Sequence, residues 1–228
     1  MAHETGKKAA GVAGAALVQD GMTVGLGTGT TAAFFIEALG VRVRADGLRL
    51  RCVATSRAAG ALARQYGIPT LPLSPETLPD LTVDGADEAD HRLNLIKGGG
   101  GALVGEKIVA ASSAEMVVIT DSSKYVPVLG AFPVPVAIVE FGWETTRDRI
   151  VREFGVVPSL RGGESTPFVN DDGMYILDLP FGAIPDPAGL LARLRAIVGV
   201  ADAGLFVGIA RRILIGHDDG HVEEIRLA

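Results

Sequence analysis

The sequence predicts an α/β chain in which a mostly parallel sheet with helices on both faces is followed by a smaller α+β domain, and three observations carry this. Short apolar runs alternate with stretches of helical spacing through the first half of the chain. These runs end in glycine or polar residues, so successive strands deliver polar side chains to one edge, as parallel sheets do where they bind ligands. Near Val126 the texture changes, with Pro127, Pro133 and Pro135 marking a boundary. The predicted divisions are a Rossmann-like domain over 1–128, a smaller α+β domain over 129–207, and a hairpin over 208–228 that returns to the first domain.

The alanine-rich segment 5–18 has Val12, Ala16 and Leu17 on one side and predicts a first helix carrying Lys7 and Lys8 near its start. A buried strand over 22–26 follows, then Gly27-Thr-Gly-Thr-Thr31, then a helix over 32–39 that Gly40 stops. Strand 48–53 ends in Ala-Thr-Ser-Arg57, and Ser56 caps a helix through Tyr66 that Gly67 closes. Short strands are predicted over 68–71 and up to Val83, a helix over 102–112, and a buried strand over 116–120 before Asp121-Ser-Ser-Lys124. Beyond the boundary the order is strand 134–139, helix 144–154, strand 156–160, strand 174–179, helix 187–198 and strand 200–207. That βαββαβ order is ferredoxin-like. The last predicted pair, 212–215 and 222–225, flanks the turn His217-Asp-Asp-Gly220.

Two stretches carry chemistry. A glycine loop opening a helix presents backbone N–H groups to an anion, and the hydroxyls of Thr28, Thr30 and Thr31 around Gly29 add donors, so phosphate is the expected guest. The loop lacks the lysine of a Walker A motif. Gly27-x-Gly29-x-x-Ala32 fits a permissive dinucleotide fingerprint, but the next strand ends without the acid that would hold a ribose hydroxyl. The second stretch runs from Asp84-Gly-Ala-Asp-Glu88 through Lys97-Gly-Gly-Gly-Gly101 to Glu106. Asp84, Asp87, Glu106 and Lys97 set among glycines are poorly explained by solubility, and the glycines allow backbone to approach a small ligand closely. Glu106 falls in the first turns of a helix, near the positive end of its dipole.

Composition narrows the classes. Among 228 residues, 48% are hydrophobic and 21% charged, which suits a globular enzyme. A net charge of −6 with no basic block argues against nucleic acid as partner. One cysteine, Cys52, excludes an intramolecular disulfide and reads as a packed thiol. No secretory h-region and no membrane-length apolar run are present, so a cytoplasmic protein is expected.

With both stretches in hand, the chain resembles ribose-5-phosphate isomerases of the type A family. The likeness rests on Gly25-Leu-Gly-Thr-Gly-Thr-Thr-Ala32, Val83-Asp-Gly-Ala-Asp-Glu88, Lys97-Gly-Gly-Gly-Gly-Ala-Leu103 with Glu106-Lys-Ile108, and Asp121-Ser-Ser-Lys124. Phe132-Pro133, Asp186-Pro187, Gly204-Leu-Phe206 and Leu214-Ile-Gly216 follow in the family's order. The resemblance implies metal-free interconversion of ribose 5-phosphate and ribulose 5-phosphate through an enediol, without cofactor, by a homodimer or homotetramer. It implies Glu106 as the base, Lys97 with the Gly98, Gly99 and Gly100 loop as stabiliser of the negative oxygen, Asp84 for ring opening and Asp87 for orienting the sugar. For phosphate it points to Thr28–Thr31, Lys7 and Lys124. The chain departs from the family pattern at Thr30, where serine is common, and at Ala58-Ala59, which lack a hydroxyl. Val104-Gly105 stands where a larger, often basic residue is usual, which predicts a looser helix start.

Three rival readings differ in class. Metal catalysis draws on Asp84, Asp87 and Asp90, but their spacing is not that of an EF-hand and Lys97 would compete with a cation. His3, His91, His217 and His221 show no ligand spacing. A sugar-phosphate-binding regulator would need an output module, of which the sequence shows no trace. A CoA transferase would use a glutamate as nucleophile and form a thioester on it.

Overall fold

The computed structural model describes residues 3–227. In chain order the elements are α1 (Glu4–Ala16), β1 (Thr23–Leu26), α2 (Thr30–Asp46), β2 (Arg51–Ala54), α3 (Arg57–Gln65), β3 (Leu81–Asp84), β4 (Glu88–Ala89), β5 (Leu95–Ile96) and α4 (Leu103–Ala111). They continue with β6 (Glu115–Asp121), β7 (Val134–Ile138), α5 (Trp143–Phe154), β8 (Ser159–Leu160), β9 (Tyr175–Leu179) and α6 (Pro187–Arg195). The last strands are β10 (Val200–Ala203), β11 (Leu205–Phe206), β12 (Ala210–Gly216) and β13 (Val222–Arg226).

The chain forms two compact units. The first comprises residues up to Ala86, Gly105–Tyr125 and residues from Gly208 onward; the second comprises Asp87–Val104 and Val126–Val207. Segment 87–104, within the span 1–128 read as one domain from the sequence, thus packs with the second unit.

The first unit is built on a six-stranded sheet of order β13-β12-β6-β3-β1-β2, parallel except for β13 at its edge. Its core gathers Val24, Leu26, Phe35, Ile36, Leu39, Val83 and Ile119. The strands β1 and β3 are buried along their whole length, as continuous apolar runs in a parallel sheet should be. Helix α2 is longer than the sequence predicts. Gly40 does not stop it, and the helix ends at Gly47, a left-handed cap with φ 69°. Gly40 is needed instead because a Cβ there would lie 2.6 Å from Cβ of Tyr66.

The second unit holds a four-stranded antiparallel sheet of order β10-β7-β9-β8, the ferredoxin-like arrangement, and a three-stranded sheet of order β11-β5-β4. The segment 200–207, read as one strand, splits between these sheets at Gly204. Its N–H donates to Pro135 O at 2.6 Å and its carbonyl accepts from Lys97 N at 2.8 Å, while a Cβ would collide with Lys97 O. Glu88 is buried in this unit and its two carboxylate oxygens accept from Gly130 N and Phe132 N, each at 2.6 Å. Of the three acids in Asp84-Gly-Ala-Asp-Glu88, the last therefore anchors the Gly130–Phe132 segment. The segment 68–71 adds only a single parallel bridge, Cys52 to Thr70.

Candidate active site

In the first unit, consecutive strands bring polar residues to the carboxyl edge of the sheet. β1 leads into the Thr28–Thr31 loop, β2 into Thr55 and Ser56, β3 ends in Asp84, and β6 ends in Asp121 followed by the turn Ser122–Lys124. Gly27 donates its N–H to Val83 O at 3.0 Å, and a Cβ at Gly27 would run into the Asp84 carboxylate. Asp84 is fully buried, and its Oδ1 accepts from Thr28 N at 3.0 Å and Gly85 N at 2.7 Å. Two backbone donors on one oxygen fix the orientation of that carboxylate.

The Thr28 hydroxyl lies 2.8 Å from Thr55 Oγ1 and 2.7 Å from Ser56 Oγ. Ser56 Oγ also accepts from Ala59 N at 3.0 Å, capping α3 as its position in the sequence predicts. Thr28 thus ties the loop to its neighbours with both its N–H and its hydroxyl. The next residues are more open. Gly29 adopts φ 103°, no side chain caps α2, and the first-turn N–H groups of Thr30 and Thr31 lead the helix. At the same edge Lys7 Nζ lies 4.0 Å from Asp121 Oδ2, and Lys124 closes the turn after β6.

Glu106 sits in the first turn of α4 and is only 4% exposed. The helix start is tight, contrary to the looser start expected from Gly105. A Cβ at Gly105 would lie 2.5 Å from Thr55 O, so glycine is what lets the first turn of α4 press on that carbonyl.

In the second unit, Asp87 donates its N–H to Ile96 O at 2.8 Å and accepts from Gly99 N at 2.8 Å through Oδ2. Lys97 is 2% exposed, and its Nζ stands 5.5 Å from the Phe206 ring centroid. Gly98 (φ 103°) and Gly101 (φ 88°) close a turn by Gly101 N to Gly98 O at 2.9 Å, with Gly99 and Gly100 exposed between them. A Cβ at Gly99 would meet Asp87 Oδ1 at 2.7 Å, so that carboxylate packs against bare backbone.

Asp84, Glu106, Thr28–Thr31, Lys7 and Lys124 therefore belong to the first unit, and Asp87, Lys97, Gly98, Gly99 and Gly100 to the second. Sequence reasoning missed Thr55 and Ser56 as partners of Thr28, although hydroxyls at a strand's carboxyl end are a readable signal. It also missed Arg161, which donates to the carbonyls of Gly98 and Gly99. No motif surrounds Arg161. Among the described residues no group of three or more His, Cys, Asp and Glu side chains is arranged to hold a metal ion, and no helix is long and apolar enough to cross a membrane.

Comparison with known proteins gives a consistent set of likenesses. Residues 51–220 match the family model described as ribose 5-phosphate isomerase A (phosphoriboisomerase A). The chain is 48% identical over 216 residues to ribose-5-phosphate isomerase A of Ruegeria sp. (strain TM1040), covering 92% of this chain and 82% of that protein. Among solved structures, ribose 5-phosphate isomerase A from Methanocaldococcus jannaschii superposes with a TM-score of 0.92 at 38% identity, covering 99% of this chain and 100% of the other. A D-ribose-5-phosphate isomerase in complex with phospho-erythronic acid superposes with a TM-score of 0.91 at 35% identity, covering 97% of each chain.

Proposed function

This chain belongs to the ribose 5-phosphate isomerase A family, and from that membership we propose that it interconverts D-ribose 5-phosphate and D-ribulose 5-phosphate with Glu106 as the base. The observation that carries the assignment is Glu106 itself, a carboxylate 4% exposed in the first turn of a helix that follows a four-glycine turn. Aldose–ketose isomerisation moves one proton between C1 and C2, and a single carboxylate can take it from one carbon and return it to the other. Negative charge develops on the C1 or C2 oxygen of the enediolate. Lys97 and the N–H groups of Gly98 and Gly100 are the donors proposed for it, the Gly99 N–H being taken by Asp87 Oδ2.

Asp84, held rigidly by Thr28 N and Gly85 N, is proposed to open the furanose ring and relay the hydroxyl proton. Asp87 orients the open sugar. The phosphate is met by the Thr28–Thr31 loop with Lys7 and Lys124, where backbone N–H groups at the start of α2 and two ammonium groups favour a dianion. Because Thr28 N donates to Asp84 Oδ1, the phosphate's backbone donors in this reading begin at Gly29. The assembly is a cytoplasmic homodimer or homotetramer in the non-oxidative pentose phosphate pathway, and sedimentation of the purified protein distinguishes the two.

The test is conversion of ribose 5-phosphate by chelator-treated protein, with Glu106→Gln alongside. Glu106→Gln should fold and bind substrate but lose turnover by at least about 10²-fold. Near-normal turnover in that variant would remove Glu106 from the role. A folded parent that binds the sugar phosphate without converting it would favour the regulator.

A further inference from the structure

The glycine turn after Lys97 is held from outside by a residue that no motif marks. Arg161 follows β8 and lays Nη1 on two successive carbonyls, Gly98 O at 2.9 Å and Gly99 O at 3.1 Å. Asp178 on β9 pins the same guanidinium, through Nε to Oδ2 at 3.0 Å and Nη2 to Oδ1 at 2.5 Å. Its side chain is 18% exposed, and the Phe168 ring centroid lies 6.0 Å from the guanidinium carbon.

The peptide between Gly98 and Gly99 is therefore gripped at both ends. Its carbonyl faces the Arg161 cation, and its N–H faces the Asp87 carboxylate at 2.8 Å. The next peptide is gripped at one end. A planar trans peptide points its N–H opposite its carbonyl, so turning Gly99 O toward Arg161 turns the Gly100 N–H away from the guanidinium. A cation on the carbonyl side also polarises the peptide and strengthens its N–H as a donor.

Building on the isomerase reading above, we propose that Arg161 is a positioning residue that aims the Gly100 N–H at the negative oxygen of the enediolate. It acts through the backbone and does not touch substrate. The effect belongs to the transition state, where charge develops, and not to ground-state binding of a neutral carbonyl or of the phosphate. Lysine cannot replace it, because an ammonium is a point charge without the planar fork that serves Asp178 and two carbonyls at once.

Three variants test the proposal: Arg161→Lys, Arg161→Gln, and Asp178→Asn, which keeps the guanidinium but unpins it. With folding verified by circular dichroism, each should lower kcat by about 10- to 100-fold with KM within about twofold of the parent. Affinity for phospho-erythronic acid, which carries a full carboxylate charge, should fall by about tenfold while affinity for inorganic phosphate holds. Unchanged kcat in Arg161→Lys would overturn the proposal, as would equal weakening of both ligands, since a merely structural role moves them together. Amide exchange at Gly99 tests the clamp with no ligand present. Faster exchange in Arg161→Lys supports it and unchanged exchange defeats it. A parent protein that leaves ribose 5-phosphate unconverted would defeat the isomerase reading alone, because the exchange measurement still decides the clamp.

Discussion

Cys52 is buried, and its surroundings make it unreactive. Cys52 is enclosed by the apolar core of the first unit, and burial pushes its thiol up to about 12. A thiol so raised is almost wholly protonated at neutral pH and is a poor nucleophile. An aromatic disulfide reagent should leave it unmodified in the native protein, and reaction within the mixing time would place it at the surface. The sign of its linkage follows. With the folded value above the ordinary 9.0, the thiol's contribution to stability is full below about 9 and is lost as pH climbs toward 12. Cys52→Ala should flatten the fall of the denaturation midpoint over that window. At this scale residue type and spacing single out Asp84, Asp87, Lys97 and Glu106 among their glycines, a reading that Glu106→Gln puts to the test. Arg161 was illegible because its partners, the carbonyls of Gly98 and Gly99, lie more than sixty positions away along the chain.

Elements were read well where their signals are local and poorly where a glycine answers a neighbour across the fold. Ser56 caps α3 and Asp186 caps α6, both through side chains accepting from the third following N–H. Gly40 looks like a stop in one dimension yet lies inside α2, and Gly204, read as interior to one strand, lets the chain pass between two sheets. Nothing along the chain announces the Tyr66 side chain or the Lys97 carbonyl that make them necessary. Gly105 permits a decisive comparison of magnitudes. Alanine would gain about 1 kcal/mol of helix propensity, whereas forcing a Cβ to 2.5 Å from Thr55 O should cost about 1–3 kcal/mol. Gly105→Ala should therefore unfold at lower urea concentration than the parent. A higher midpoint would mean that the first turn of α4 can withdraw from Thr55.

For the whole molecule, the sequence carried the α/β order, the parallel sheet and the ferredoxin-like half, because each rests on the alternation of elements. It did not mark 87–104 as packing with the second unit, since strands as short as β4 and β5 leave no periodic signal. The strand that completes the first unit comes last. β12 pairs in parallel with β6, and β13 covers β12 in turn. Ending the chain at Val207 would leave β6 as an open edge of buried residues, an invitation to intermolecular pairing. Such a truncation should aggregate on expression, whereas a soluble product with native circular dichroism would show that the sheet tolerates the loss. On the ribosome the same arrangement sets a timetable. Everything through Val207 is synthesised while the parallel sheet still lacks an outer neighbour for β6, so the nascent chain must shelter that edge until β12 and β13 clear the exit tunnel.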